Sequence, residues 1–475
     1  MSITNTQPKY VRLMTEIRSS IDRGAYKPGD TLPSDTVLRA EKGLSNATIR
    51  QALHELVLEG YIARHVGKGT VVLPRNTSAD AVTIALQDDS STTAAVPFQQ
   101  DLFTKCGALL SVKKLKTNIR YSIIPGSSDK NEYVTSDICD SHTLFNKSVL
   151  PGEYAKVLNQ DLTGSGISVF HTFNEKTFDF FSVNGLLYRL PVYFFPLVLI
   201  YNPAVFDLLQ VPYPDESLDW ESFLHLNQTI IEKSVKDRKN IYALYMDPNL
   251  NRLYPFVRQN GGEFFSENKQ RCTCASKKTV DAINYFRKLI SINPVIPRVM
   301  NIQANHYACG LFAYNNLAMM IGQAFDIDRL RRNGAKFSVT ELPHGTQKST
   351  MIFTRAYAVN KNSASHAGIF LSQMFSDSIQ QYIHDETVYM AADKTIMQTP
   401  SLSFQTLKKV YLNSFQYGQL YDENWHLGFS ELLSQSLTNV LLEKEETEHT
   451  LMKAENEINS TLQSKKFIFK KADHE

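Results

Sequence analysis

At 475 residues the chain has length for two to four domains rather than one. Its 50 Lys and Arg against 48 Asp and Glu leave a net +2, yet residues 1–75 hold 11 basic and 7 acidic side chains, so +4 sits there and −2 on the remaining 400 residues. Five cysteines, an odd number, argue against a disulfide framework, and no apolar run reaches the roughly eighteen residues of a membrane span. The opening MSITNTQPKY has neither the basic nor the apolar segment of a secretory signal, so a soluble cytoplasmic protein is expected.

The first predicted helix carries Tyr10, Leu13, Met14, Ile17 and Ile21 at i, i+3, i+4 and i+7 spacing, a stripe suited to packing beneath other helices. Two shorter helices follow, each opened by a serine N-cap, Ser34 and Ser45, whose hydroxyl can accept a first-turn N–H. In the second of them Ile49, Ala52, Leu53, Leu56 and Val57 recur at helical spacing and must face a core. Asn46, Ala47, Arg50 and Gln51 are then left outward near its N-terminus, small polar groups and one arginine that suit a DNA major groove. Gly60 ends that helix, and the β-rich runs Tyr61–His65 and Thr70–Leu73 flank the glycine turn Val66-Gly67-Lys68-Gly69, a predicted wing hairpin.

From Pro8 to Leu73 these residues resemble the GntR-type winged helix-turn-helix transcription regulators. Tyr26-Lys27-Pro28-Gly29-Asp30, Leu32-Pro33-Ser34, Thr48-Ile49-Arg50, Glu59-Gly60-Tyr61 and Gly67-Lys68-Gly69-Thr70 stand in the family's order. The resemblance implies contacts to double-stranded operator DNA from Ser34, Ser45, Asn46, Thr48 and Arg50 and from the wing residues His65, Gly67 and Lys68. Thr36 and Asn46 stand where many relatives carry arginine, so operator sequence does not transfer from them.

A domain at 1–75 and a short linker at 76–81 precede a larger region, 82–475, where apolar runs alternate with helical ones in the α/β manner. VTIAL at Val82, an amphipathic stretch through Leu102 and Phe103, and a strand VKKLK at Val112 come first; the run Tyr133–Cys139 ends in Asp140-Ser141-His142, positions that face ligand crevices in open α/β sheets. From Phe181 to Leu224, Gly185, Tyr188, Leu190, Pro191, Tyr201, Asn202, Phe206, Pro212, Trp220 and Phe223 stand in the order found in bacterial extracellular solute-binding proteins, the receptors of sugar importers. Tyr254-Pro255-Phe256, Gln259-Asn260-Gly261-Gly262, Ala318-Met319-Met320-Ile321-Gly322, Ala358-Val359-Asn360 and a last helix through Leu451, Ala454, Ile458 and Leu462 extend the likeness.

The fold class this resemblance implies is multidomain: a winged helix-turn-helix followed by a two-lobed α/β, periplasmic-binding-protein-like domain. Lobe I would take about 82–192 and 351–395, and lobe II about 193–350 and 396–475. Position in the resemblance marks Asp140, Ser141, Tyr193, Tyr254, Phe325, Asp326, Arg355 and Tyr357 for a carbohydrate effector, since sugars take aromatic faces and polar hydrogen-bonding groups. Each has a structural alternative: Tyr193 as hinge core, Asp326 as the cap of the helix through Ile327 and Leu330.

Neither the histidines nor Cys272-Thr273-Cys274 has metal-ligand spacing, and no residue set implies a cofactor or catalysis. The expectation is a ligand-responsive regulator, not an enzyme, acting as a homodimer on a pseudo-palindromic operator with no membrane partner. Two alternatives are a pyridoxal-phosphate aminotransferase-like module, for which no Ser-x-x-Lys setting is found, and a transport receptor, for which the export signal is lacking.

Overall fold

A computed structural model of the chain describes residues 9–472, apart from 28, 59–60, 66–68, 73–80, 89–91, 113–117, 126–137, 141–181, 184–185, 188–189, 248, 269, 294–302, 360–364, 421–428 and 443. The chain divides into two compact units, one bounded by Met1–Thr92, Phe98–Asp140 and Ala358–Gln373, the other by Thr93–Pro97, Ser141–Tyr357 and Met374–Glu475.

The first unit opens with α1 (Lys9–Asp22), α2 (Asp35–Lys42), α3 (Asn46–Leu58) and the antiparallel pair β1 (Ile62–His65) and β2 (Gly69–Val72). The predicted stripe of α1 is core: Leu13, Met14, Ile17 and Ile21 pack in one cluster with Leu38 of α2 and with Ile49, Ala52, Leu53 and Leu56 of α3, all four of which have no exposed surface. Gly43 stops α2 at a left-handed φ of 63°, which a glycine adopts without steric cost. The wing has a third backbone partner that hairpin spacing did not suggest. The Gly29 N–H donates to the Val72 carbonyl, Val72 back to Asp30, and Leu32 to Thr70, each at 2.8 Å.

In the same unit β3 (Ala81–Asp88) pairs in parallel with both β4 (Asn118–Pro125) and β5 (Ile138–Asp140), and α4 (Thr92–Val112) joins β3 to β4. Of the strand expected at Val112, Val112 itself is the last residue of α4 and residues 113–116 lie outside the described residues; the next described strand is the more apolar NIRYSIIP from Asn118. Ile119, Ile123 and Ile124 supply that strand's apolar side chains.

The second unit contains β6 (Ser182–Val183), β7 (Leu186–Leu187), β8 (Leu190–Pro196), β9 (Val198–Tyr201), α5 (Pro203–Leu209), α6 (Trp220–Lys236), β10 (Tyr242–Tyr245), α7 (Leu250–Gln259) and α8 (Lys277–Ile292). It continues through α9 (Gln303–Ala313), β11 (Leu317–Gly322), α10 (Ala324–Arg332), β12 (Ser338–Thr340) and β13 (Met351–Val359), which straddles the unit boundary, as does α11 (Ser365–Met374). Then come α12 (Asp377–Glu386), β14 (Met390–Ala391), α13 (Lys394–Met397), α14 (Gln405–Tyr417), β15 (Gln419–Leu420), α15 (Ser430–Leu441) and α16 (Thr447–Ala472).

One sheet runs β10-β11-β9-β12, with β10 and β11 parallel and β9 antiparallel to both β11 and β12. All six residues of β11, LAMMIG, are buried, as expected of a strand covered on both faces. β8 is flanked by β14 and β13, both antiparallel to it, and β15 lies parallel to the start of β13. Asn202 caps α5 through the Ala204 N–H at 3.1 Å and donates to the Phe312 carbonyl at 3.0 Å, tying the end of β9 to α9. The Cys272-Thr273-Cys274 segment docks α16: Asn459 accepts from the Cys272 N–H at 2.8 Å, and Glu455 accepts from Ala275 at 2.7 Å. Both thiols are buried, and the hydrogen bond with the Cys272 thiol, together with burial, pushes the Cys274 thiol up. Among the described residues no group of three or more His, Cys, Asp or Glu is gathered, and no helix is long and apolar enough to cross a membrane.

Candidate nucleic-acid interface and solute site

The start of α3 is built by its own side chains. The Ser45 hydroxyl accepts from the Thr48 N–H at 3.2 Å and lies 2.8 Å from the Thr48 hydroxyl, so two candidate contact residues cap the helix together. Ser34 caps α2 in the same way, accepting from Val37 at 3.3 Å. Because Ile49 and Leu53 are turned fully inward, Asn46, Ala47, Arg50 and Gln51 are exposed on the opposite side, with Thr48 half-buried beside them. An exposed helix start with its positive dipole end favours phosphate, and the exposed Arg50 adds a guanidinium able to donate in bidentate fashion. Lys42 pairs with Glu16 at 2.5 Å, joining α2 to α1 on the surface. His65 closes the wing ladder opposite Gly69; Gly67 and Lys68 lie outside the described residues.

The residues marked for a solute divide into four sets. Asp140 ends β5, and Ser141 lies outside the described residues. Tyr193 and Arg355 face each other across β8 and β13, where the register shifts between Arg355 and Ala356, and Phe325 joins them through a shared aromatic group. Within that group Tyr193 meets Tyr389 edge-on at 4.8 Å, and Phe195 contacts Tyr389 and Phe353 at 5.7 Å and Phe325 at 6.3 Å. Tyr193 and Tyr357 have no exposed surface and Phe325 only 6%, so in this arrangement their rings are packed on other side chains. Arg355 and Tyr357 lie inside β13, which begins at Met351.

Tyr254 is held elsewhere. It sits in α7, donates to Glu263 at 2.8 Å and accepts from Arg258 at 3.3 Å, and burial pushes its hydroxyl up to about 12. Pro255 does not free it from the helix, which continues to Gln259.

Asp326 is the fourth case. Its carboxylate accepts from the Gln323 N–H at 3.0 Å, completing a capping box at the start of α10. The alternative role expected for it is therefore present. It also faces Arg252 of α7, Nη2 to Oδ2 at 3.6 Å, with the two side chains 4% and 1% exposed. Burial raises the Asp326 carboxyl, partly offset by the Arg252 charge. Arg252, Phe195, Phe353 and Tyr389 are absent from the sequence-based set. The signal for Arg252 was its place in the first turn of a helix directly after the strand YALY; Tyr389, inside the apolar VYMAA, offered none.

Residues 9–72 match the family described as "Bacterial regulatory proteins, gntR family", and they form a GntR-type winged-helix domain. The mannosyl-D-glycerate transport/metabolism system repressor MngR of Escherichia coli K12 is 36% identical over 83 residues, 18% of this chain and 35% of that protein. The chain thus spans about a third of that curated relative's length, and the likeness lies at the winged helix. The rest finds its counterparts among solved structures. An ABC substrate-binding protein of Listeria monocytogenes, in complex with cycloalternan, superposes with a TM-score of 0.65 at 20% identity, covering 81% of this chain and 99% of that one. The GacH receptor of Streptomyces glaucescens, solved unliganded and with acarbose, gives 0.66 at 15%, covering 81% and 98%. At these identities the likeness establishes fold: the large domain resembles the two-lobed periplasmic sugar-binding proteins.

Proposed function

We propose that this chain, a GntR-type winged helix joined to a solute-binding-protein fold, is a cytoplasmic transcription regulator whose hold on operator DNA is set by a bound carbohydrate, with no catalysis of its own. The observation that carries the reading is the presence on one chain of a capped recognition helix with Asn46 and Arg50 outward and of that sugar-receptor architecture. Asn46, Thr48 and Arg50 read the groove, Ser34 and Ser45 approach phosphates at the helix starts, and His65, Gly67 and Lys68 follow the wing. Two lobes, about 82–192 with 351–395 and about 193–350 with 396–475, close on the solute. In a homodimer, closure changes how two winged helices are presented and so whether both half-sites of a pseudo-palindrome are engaged together.

The test uses the full chain and a duplex selected by it from random-sequence DNA, followed by fluorescence anisotropy across salt and with a panel of carbohydrates. Each phosphate neutralised steepens the log–log salt dependence by roughly 0.9, so several contacts give a steep decline. A saturating carbohydrate changes operator affinity, and by thermodynamic reciprocity operator changes carbohydrate affinity by the same factor. Salt-independent binding sinks the DNA reading. A carbohydrate at about 100 times its dissociation constant stabilises the protein by about 2.7 kcal/mol, so a panel without any melting shift sinks the sensing reading.

A further inference from the structure

The parallel strands β10 and β11 end side by side, at Tyr245 and Gly322, and each is followed by a helix, α7 and α10. The carboxyl edge of such a sheet is where α/β folds hold ligands. Arg252 comes from the first turns of α7 and Asp326 from the first turn of α10, so the topology brings a guanidinium and a carboxylate to that edge from positions far apart in sequence. Their closest approach, 3.6 Å, is an ion pair too long for a hydrogen bond. Asp326 uses Oδ2 to cap α10, while its Oδ1 and the Nη1 of Arg252 have no hydrogen-bond partner among the described residues and no access to solvent.

Buried charged atoms left this way are costly, and a fold that holds them so implies something that pairs with them. Both groups are planar and rigid, so the two orphan atoms lie within a few ångström of their contact and offer one donor and one acceptor. The Tyr411 hydroxyl is also buried and without a partner among the described residues, and burial, with the Asp326 charge after it, pushes it up. Beyond the pair, the positive charge of Arg329 and the negative charge of Asp247 act on Asp326 with opposite sign.

We propose that Arg252 and Asp326 are a paired reader of neutral sugar hydroxyls, Nη1 donating to a hydroxyl oxygen and Oδ1 accepting from an O–H, and that they exclude anionic sugars. This rests on the carbohydrate-sensing reading above. A carboxylate or phosphate on the ligand has no proton for Oδ1 and meets the like charge of Asp326, whereas a hydroxyl, or two neighbouring ones, satisfies both orphan atoms. The charges of the pair cancel, which matches an uncharged ligand.

The experiment is calorimetric titration and thermal melting of the full chain with maltose, maltotriose, trehalose and L-arabinose against D-glucuronate, D-galacturonate and glucose 6-phosphate. It is repeated on the double variant Arg252→Met with Asp326→Leu, which removes both charges and leaves neither alone in the interior. Binding of a neutral sugar, with no response to the acids and a loss of roughly tenfold or more in the folded double variant, is the expected result. A uronate or sugar phosphate binding more tightly than every neutral sugar overturns this assignment while leaving carbohydrate sensing intact. Equal neutral-sugar affinity in wild type and double variant overturns it too and makes the pair structural, satisfied by buried water. No binding by either set overturns the sensing reading and this one with it. Should the double variant not fold, monodeoxy analogues of the binding sugar are titrated into wild type. One position must then cost roughly tenfold or more, and a flat series overturns the proposal.

Discussion

Gly322→Ala is the sharpest probe of how the end of β11 places Asp326. A Cβ built there lies 2.6 Å from Cδ1 of Ile200, 3.1 Å from Oδ2 of Asp326 and 3.3 Å from its Cβ. The first distance is one that real Cβ atoms essentially never show, and Ile200 has no exposed surface into which to move; its backbone is fixed by pairing with Met320. Overpacking of this kind costs about 1–3 kcal/mol. The second distance requires the Asp326 carboxylate oxygen, which accepts from the Gln323 N–H at 3.0 Å, to give by a few tenths of an ångström. Ile200→Val removes the clashing methyl at a cost of its own of about 0.5–1.5 kcal/mol. The double variant should then be less destabilised than the sum of the singles, with a coupling of about 0.5–3 kcal/mol. Urea unfolding followed by fluorescence of the second unit's two regions of aromatic packing, Trp220 with Tyr285 and Tyr193 with Tyr389, measures it. A neutral Gly322→Ala, or strict additivity with Ile200→Val, would show that this contact does not set the carboxylate's position.

Arg50→Ala should weaken binding to the selected duplex by about 1–3 kcal/mol, and relax preference at one base position if the arginine reads a base; anisotropy with point-mutated duplexes tells base from phosphate contact, and unchanged affinity excludes both. Ser45→Ala removes the acceptor of the Thr48 N–H and should destabilise the winged helix by about 1 kcal/mol, read as earlier loss of helical circular dichroism; Ser45→Gly should cost only a few tenths. Glu341 supplies a pH test. Burial pushes its carboxyl up, but hydrogen bonds from Lys348 at 2.7 Å, Tyr417 at 2.8 Å and Asn413 at 3.1 Å outweigh this and hold it below its usual value. A depressed carboxyl stabilises the fold above its unfolded pKa, about 4.3, and that stability is lost as pH falls through the folded value. Melting temperature of wild type should therefore drop more steeply in acid than that of Glu341→Gln, and parallel curves would contradict the assignment.

The winged helix was legible because its determinants are local. Ser34 and Ser45 cap within three residues, Gly43 ends a helix with its own φ, and the α1 stripe needs only 3.6-residue periodicity to announce its buried side. The third backbone partner of the wing was not, since Gly29–Leu32 reaches β2 across the whole length of α2 and α3. β8 illustrates the limit further on. Each of its seven residues is buried, so no alternation shows which face Tyr193, Phe194 and Phe195 take, and sequence can name the rings without saying what they touch. Asp326 was legible as a cap through its spacing from Gln323. Its pairing with Arg252, 74 positions away, was not, because only the adjacency of β10 and β11 creates it.

That adjacency also separates two roles that a list of aromatic and polar candidates runs together. Tyr193, Phe195, Phe325, Phe353 and Tyr389 contact one another at ring distances of 4.8 to 6.3 Å. Rings so engaged contribute core packing around β8 and β13, and so supply rigidity there more than affinity. Differential binding energy has to come from groups whose partners change when the solute arrives. Asp326 Oδ1 and Arg252 Nη1, buried without a hydrogen-bond partner among the described residues, are the atoms proposed above for that role, and they sit at the starts of helices rather than in a packed strand. A solute can shift an equilibrium between two arrangements only by as much as it binds them differently. The same two atoms that would choose the sugar are therefore the ones through which its binding energy would reach the operator-binding end.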